Sequence, residues 1–374
     1  MRFIHTADWQ IGMKAYRVGR AAQRVREVRL EAASRVVKAA TDNGAQFILI
    51  AGDTFEDNGV DRVLIQKVVD ILSQFGGPVY VMPGNHDPYV PGSVWDHPAW
   101  KSCERLHVLL RPDPVEVPGG VLYPCPAHDK HSQSDPTRFV QASESKEIAI
   151  GVAHGTVEGV PQEEPDYPIS RDAVSRTGLD YLALGHWHST ATYPDSAGVV
   201  RMACCGAHEA TRFGERDSGN VLRVDIAERR APPTTTPIHT GSLQWEEIEE
   251  EIRQKGDLHG LLRKVEALQR PSSTLLKLRV KGVFFADDAE THSHLREIVA
   301  SRFLAGNFDD SGLMASPQDD AWVEGLPVGA LREAGRRLRD LADPGYSGQR
   351  PKDNSPEVAS RALLELYTLT RGAP

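Results

Sequence analysis

Residues 5–12 read HTADWQIG and follow directly on Met1-Arg2-Phe3-Ile4. A short apolar run of this kind reads as a strand, and it stops at Asp8, with Gln10 one residue further on. Two polar side chains at that spacing would be metal ligands if Gln10 were a histidine. The stretch therefore admits three readings: a damaged metal site, a working variant of one, or an ordinary strand end. The way the later strands end decides among them.

Phe47-Ile48-Leu49-Ile50-Ala51 stops at Gly52-Asp53, and Pro78 to Met82 runs into Pro83-Gly84-Asn85-His86-Asp87. Glu147 to Ala153 ends at His154-Gly155, and Tyr181 to Leu184 ends at Gly185-His186-Trp187-His188. Between the first strands, Val25, Val28, Ala32, Val36 and Ala40 recur at helical spacing, which predicts a helix over about 21–40; a second covers about 61–74. Strands alternating with helices and ending in polar clusters predict an α/β sheet that carries its chemistry at the strand ends. A lone histidine such as His5 or His107 is ordinarily a packed or surface residue. Five successive strands ending in D-x-Q, G-D, G-N-H-D, H-G and G-H-x-H are not explained by packing. Carboxylate, imidazole and amide oxygen together suit Mn²⁺, Zn²⁺ or Fe²⁺, and the lack of thiolates disfavours a structural zinc cage. Gly52, Gly84 and Gly185 are expected to let the backbone turn so that the next side chain faces the metals.

Length and composition bound the rest. A chain of 374 residues predicts one large α/β domain with smaller units attached. Its formal net charge of -9 argues against coating nucleic acid by bulk electrostatics, although a local basic patch or bound metals still provide a binding face. Cys103, Cys125, Cys204 and Cys205 form no CxxC pair and read as reduced thiols. With no signal-like or membrane-spanning run, a cytoplasmic location is expected. Asn220 to Ile226 reads as a strand, and Thr235 to His239 and Trp245 to Ile252 read as possible edge strands of the same domain. A small α+β unit follows, with helices over about 258–268 and 290–304 around a strand at 275–285. The chain closes with helices near 328–341 and 356–369. The expected division is 1–250, 251–315 and 316–374.

The segments DWQIG, GDTFE, GNHD, AHG and GHWH resemble the signature of calcineurin-like metallophosphoesterases. Their order and flanks, IHTADWQIG above all, are similar to the SbcD-type DNA double-strand-break repair exonucleases of the meiotic recombination eleven nuclease family. That resemblance covers about 1–240 closely and 258–305 loosely. It implies a β-sandwich flanked by helices, a smaller α+β capping domain that steers DNA ends, and a C-terminal helical segment. It also implies two divalent ions, Mn²⁺ first, with Mg²⁺, Fe²⁺ and Zn²⁺ as alternatives. Asp53 would bridge them; Asp8, the Gln10 position and His188 would complete one ion, and Asn85, His154 and His186 the other. His86 would be the catalytic acid at the leaving oxygen, with Asp87 orienting it.

In the family the Gln10 position is normally histidine. Glutamine offers an amide oxygen, which suits Mn²⁺ or Mg²⁺ better than Zn²⁺ and holds a metal less tightly than imidazole. A working variant, a weakened or one-metal enzyme and a metal-loaded scaffold remain open; the intact Asp53, Asn85, His86, His154, His186 and His188 favour the first. The implied activity is a 3'-to-5' DNA exonuclease with endonuclease activity, working as a homodimer with an SbcC-type coiled-coil ATPase. Arg17, Arg20, Arg24, Arg26 and Arg29, with Arg212 and Arg216, are candidate contacts for DNA phosphates, against the alternative of a solvated helix face. Val358, Ala362, Leu363, Leu366 and Leu369 form either an ATPase-docking stripe or part of their own domain's core. The rivals are a small-molecule phosphodiesterase or phosphatase, and a non-catalytic DNA-binding or regulatory subunit.

Overall fold

A computed structural model describes residues 1–160, 166–315, 321–352 and 354–371. The chain divides into two compact units, Met1–Leu243 and Gln244–Pro374. In the first, the strands are β1 (Arg2–Thr6), β2 (Phe47–Ala51), β3 (Val79–Met82), β4 (Leu106–Val108), β5 (Val115–Val117), β6 (Gly120–Cys125), β7 (Ile148–His154), β8 (Tyr181–Gly185), β9 (Ala191–Pro194), β10 (Val200–Cys204), β11 (Asn220–Asp225) and β12 (Thr234–His239). They form two six-stranded sheets, ordered β12-β11-β1-β2-β3-β4 and β5-β6-β7-β8-β10-β9.

The apolar runs are continuous because both faces of each sheet are covered. Phe3, Phe47, Leu49 and Tyr80 point inward and pack on Leu122, Ile150 and Tyr181 of the other sheet. Ile4, Ile48, Ile50 and Val81 point outward against α1 (Ala22–Asp42) and α2 (Arg62–Leu72), which contribute Val36, Ala40, Val68 and Leu72. The outer face of the second sheet carries Ala149, Leu182 and Leu184 against α3 (Ala173–Thr177). Because β1, β2 and β3 run parallel, their carboxyl ends share one edge, and β7 and β8, also parallel, do the same opposite.

His5 sits inside this sandwich as a polar pin. Its Nε2 donates to the Leu184 carbonyl at 3.1 Å, so its Nδ1 accepts from the Tyr181 hydroxyl, also at 3.1 Å. His107 lies at the surface, stacked on Tyr80. Both are packing residues, as expected of lone histidines.

The second unit holds β13 (Gln244–Ile252), β14 (Thr274–Phe284) and β15 (Ala305–Ala315), all parallel, with α4 (Asp257–Glu266) and α5 (Ala289–Ser301) in the crossovers. Trp245 to Ile252 is therefore not an edge strand of the first domain. It pairs with β14, so the division falls at 243/244 and not after residue 250. The break expected at 315/316 lies outside the described residues. Beyond it, α6 (Ala321–Gly325), α7 (Ala330–Ala342) and α8 (Pro356–Arg371) follow. Trp322, Val323, Leu363, Leu364 and Tyr367 pack into the same core as Leu278, Val280 and Leu295. Of the expected docking stripe, Leu363 is buried and Ala362 and Leu366 are half-buried, while Val358 and Leu369 are exposed. The closing helices thus complete this unit's core. β9, β10 and β15 had no counterpart in the sequence reading.

No helix among the described residues is long and apolar enough to cross a membrane. All four cysteines are free thiols.

Burial holds His5 neutral, with its pKa lowered from 6.5 to about 3. The unfolded chain takes up that proton near 6.5, so this contribution to stability is present above 6.5 and is lost as pH falls toward 3. His5→Gln should flatten that acid slope in thermal unfolding followed from about pH 7 to about pH 4. Parallel slopes for variant and wild type would contradict it.

Candidate metal centre

The loops after β1 and β2 continue to pair beyond the strands: the Asp8 N–H donates to the Gly52 carbonyl at 3.1 Å and the Gln10 N–H to the Asp53 carbonyl at 2.9 Å. Asp8, Gln10, Asp53 and His186 all have positive φ, at 56°, 42°, 52° and 88°. A non-glycine residue rarely adopts this conformation, which costs on the order of 1–3 kcal/mol and persists where its surroundings enforce it. Four such residues in one cluster mark where the fold aims side chains against local preference.

The glycines act mainly through space. Gly52 does turn the chain, with φ of +93°. A Cβ on Gly84, however, would stand 2.2 Å from Asp53 Oδ1, and one on Gly185 would stand 2.1 Å from the Ala51 carbonyl. Neither of these two has a positive φ, so the expected turning role gives way to close approach.

Asp8 and Asp53 are buried, and a ligand atom from each lies within 4.8 Å of the other and of one on His154. The His154 Nδ1 faces the Ala51 carbonyl at 2.8 Å and must donate to it. Its Nε2 therefore points the other way, at Asn85 Oδ1 (3.0 Å) and Asp53 Oδ2 (3.2 Å). His186 Nδ1 also lies 3.2 Å from Asn85 Oδ1, and the His186 N–H donates to both Asp8 oxygens at 3.0 and 3.1 Å. Two oxygens and an imidazole nitrogen aimed at one another are satisfied either by a proton on Nε2 or by a cation among them.

The protonation preferences say the same. Burial opposes charge on His154, yet the Asp53 carboxylate pushes its pKa up to about 10. Burial would raise Asp53, but His154 and His86 outweigh it and hold this carboxyl well below the usual range. Burial raises Asp8, against the opposing pull of His154 and His188. Burial and the nearby His154 lower His186 to about 4. The donor set fits divalent metal: Asp8, Asp53 and His154 bring ligand atoms within 4.8 Å of one another, and the His154 Nδ1–H contact leaves Nε2 as the ligating lone pair of the neutral ring.

His188 lies in the same field and shows a support that the sequence did not reveal. Its Nδ1 contacts Glu215 Oε1 at 2.8 Å and Thr211 Oγ1 at 2.9 Å, which fixes the ring and leaves Nε2 available to a metal. Asn85 has a comparable support, because its Nδ2 donates to Asp166 Oδ2 at 3.4 Å and so turns its carbonyl oxygen toward the histidines. Gln10 joins the cluster through its backbone pairing with Asp53 and is buried.

His86 stands at the rim, half-buried, with its N–H donating to Asp53 Oδ1 at 2.9 Å. Its Nδ1 donates to the Glu56 carbonyl at 3.0 Å, so Nε2 is the nitrogen left for substrate. Asp87 does not orient this ring. It is fully buried, and its oxygens accept from the Gly84 N–H at 2.7 Å and the Phe55 N–H at 2.9 Å, pinning the loop that carries Asn85 and His86. Burial and the charge of Asp53 raise its carboxyl to about 7.

Arg17, Arg20, Arg24, Arg212 and Arg216 are exposed. Arg24 is engaged by Glu31 at 2.6 Å and Glu27 at 3.6 Å, and Arg212 lies 3.7 Å from Glu215. Arg26 donates to the Lys14 carbonyl at 3.1 Å. Arg29 is buried and faces the protein interior, so it is withdrawn as a DNA contact.

Gly84→Ala should sharply reduce metal binding and any hydrolytic activity, because its Cβ would meet Asp53 Oδ1 at 2.2 Å. Gly76→Ala, with nothing within 4 Å, should be silent in both assays. Calorimetric Mn²⁺ titration checks the pair, and normal binding by Gly84→Ala would refute the close-approach argument.

Residues 1–190 match the family described as calcineurin-like phosphoesterase. The uncharacterized metallophosphoesterase YhaO of Bacillus subtilis is 24% identical over 296 residues, 75% of this chain and 69% of that protein. The DNA double-strand break repair protein Mre11 of Haloferax volcanii is 28% identical over 269 residues, 68% of this chain and 57% of that protein. The SbcD component of the SbcCD nuclease of Escherichia coli K12 is 23% identical over 388 aligned positions, 83% of this chain and 94% of that protein. With two sheets flanked by helices and a buried Asp-Asp-His cluster at their strand ends, the chain belongs to the calcineurin-like phosphoesterase family.

Proposed function

We propose that this protein is a dinuclear-metal-dependent DNA nuclease, a 3'-to-5' exonuclease with endonuclease activity, using Mn²⁺ in DNA repair. The observation that carries the chemistry is the convergence of Asp53 Oδ2 and Asn85 Oδ1 on His154 Nε2, with His86 beside Asp53 and its Nδ1 taken by the Glu56 carbonyl. Asp8, Gln10, Asp53 and His188 would hold one ion, and Asp53, Asn85, His154 and His186 the other. Bound there, two divalent ions supply Lewis acidity to the phosphoryl group and to an attacking water. His86 delivers a proton from Nε2 to the departing oxygen, while the Glu56 carbonyl fixes the ring. Asp87 keeps the His86 loop in register.

DNA as substrate is supported by the relatives named for double-strand-break repair and for the SbcCD nuclease. On this reading the second unit caps the DNA, the protein acts as a homodimer with an SbcC-type coiled-coil ATPase, and its four free thiols suit the cytoplasm. A small-molecule phosphodiesterase is the second reading. It is favoured by the candidate DNA arginine Arg24 being engaged by Glu31 and by Arg29 being buried.

Mn²⁺-dependent degradation of end-labelled duplex DNA, beside hydrolysis of a generic phosphodiester, tests the proposal. His86→Ala should lower DNA cutting by roughly 10²- to 10⁴-fold, and Gln10→His should keep or strengthen it. Intact DNA with a hydrolysed small ester selects the second reading. Silence on both substrates with metal bound selects a non-catalytic subunit or a nuclease that needs its ATPase.

A further inference from the structure

Arg29 is the one member of the α1 arginine stripe that the fold buries, at 1% exposure. Main-chain carbonyls meet its charge. Nε donates to Trp9 O at 2.9 Å, Nη2 to Asp8 O at 3.2 Å and again to Trp9 O, and Nη1 to Glu209 O at 2.9 Å and Ala210 O at 3.4 Å. The Glu209 carboxylate is turned elsewhere, to Arg35 at 3.1 Å and to the N–H groups of Ser242 and Leu243. One guanidinium therefore clasps two loops far apart in sequence. The first presents Asp8; the second leads into Thr211 and Glu215, which hold His188. The clasp is reinforced by the Trp9 ring stacked on His208, centroids 4.9 Å apart, and by His208 Nε2 at 2.8 Å from the Arg29 carbonyl.

We propose that Arg29 is a positioning residue that holds Asp8 and His188 as a preformed pair for one divalent cation, at the position where Gln10 supplies an amide in place of an imidazole. This rests on the two-ion reading of the site. A weaker ligand leaves affinity more dependent on the others being fixed before the ion arrives, since a preorganised site loses less freedom on binding. The left-handed backbone of Asp8 and Gln10 needs such a restraint. The guanidinium suits the task because its planar fork directs several N–H donors at fixed angles, whereas an ammonium is a compact charge that cannot reach both loops.

The test reads metal binding by the full chain, not turnover, using Mn²⁺ titration by calorimetry and by electron paramagnetic resonance of free Mn²⁺. The wild type should bind two ions. Arg29→Lys should bind one as before and the other roughly 10- to 100-fold more weakly. Adding Gln10→His to Arg29→Lys should restore most of that loss. Arg223→Met, which removes an ion pair to Asp225 on β11 and touches neither loop, should leave both affinities unchanged. The proposal is overturned if Arg29→Lys binds both ions normally, if it loses both equally, if Gln10→His gives no recovery, or if Arg29→Lys does not fold with or without Mn²⁺. A wild type that binds two ions and hydrolyses the small ester but leaves DNA intact defeats the nuclease reading and leaves the role of Arg29 intact.

Discussion

Two carboxylates, Asp8 and Asp53, are buried close together at the ends of neighbouring parallel strands, and their charge is the constraint that organises the site. A buried carboxylate is costly unless positive charge or hydrogen bonds meet it, and a second one nearby raises the cost. The protein answers with the protonatable ring of His154, the N–H groups of His86 and His186, and a guanidinium behind the Asp8 loop. These groups reduce the imbalance but leave oxygen atoms converging on His154 Nε2. A site with that surplus of Lewis base selects cations, and the amide and imidazole members favour a borderline divalent metal over Ca²⁺.

The architecture exists to keep those groups from relaxing. The inner apolar layer, with Phe3 edge-on to Tyr181 of the facing sheet at 6.0 Å, locks the two sheets so that the edge of one faces the edge of the other. His154 at the end of β7 can then reach the Ala51 carbonyl at the end of β2. The left-handed backbone of Asp8 and Gln10 is tied by their N–H groups to the Gly52 and Asp53 carbonyls, and glycine at position 84 allows the GNHD loop to lie directly on Asp53. Supporting contacts then fix the orientation of individual ligands: Glu215 and Thr211 for His188, Asp166 for Asn85, Glu56 for His86.

Legibility in the sequence followed the range of the interactions. Long apolar runs closed by polar clusters made β1, β2, β3, β7 and β8 and nearly every candidate ligand readable, because both signals are local. The strand β15 was missed because Asn307, Asp309, Asp310 and Ser311 give it the composition of a loop; parallel pairing with β14 supplies its order. β13 was assigned to the wrong unit for a related reason, since Trp245, Ile248 and Ile252 show a segment with apolar positions but not the strand it pairs with. Arg29 looked like its neighbours on a charged stripe, and only the return of the chain at Glu209 shows that its face of α1 is covered. Glu215 and Asp166 carry no motif at all. Asp87 took its orienting role from the resemblance alone, whereas its side chain turns back to Gly84 and Phe55.

The proposed chemistry depends on Asp53 sharing two cations, one with Asp8, Gln10 and His188 and one with Asn85, His154 and His186. The most direct measurement is an anomalous difference map from a crystal of the full chain grown with Mn²⁺. Two peaks about 3.5–4 Å apart, with Asp53 between them and Gln10 beside the one nearer Asp8, are the predicted result. A single peak, or metal bound away from Asp53, would contradict it.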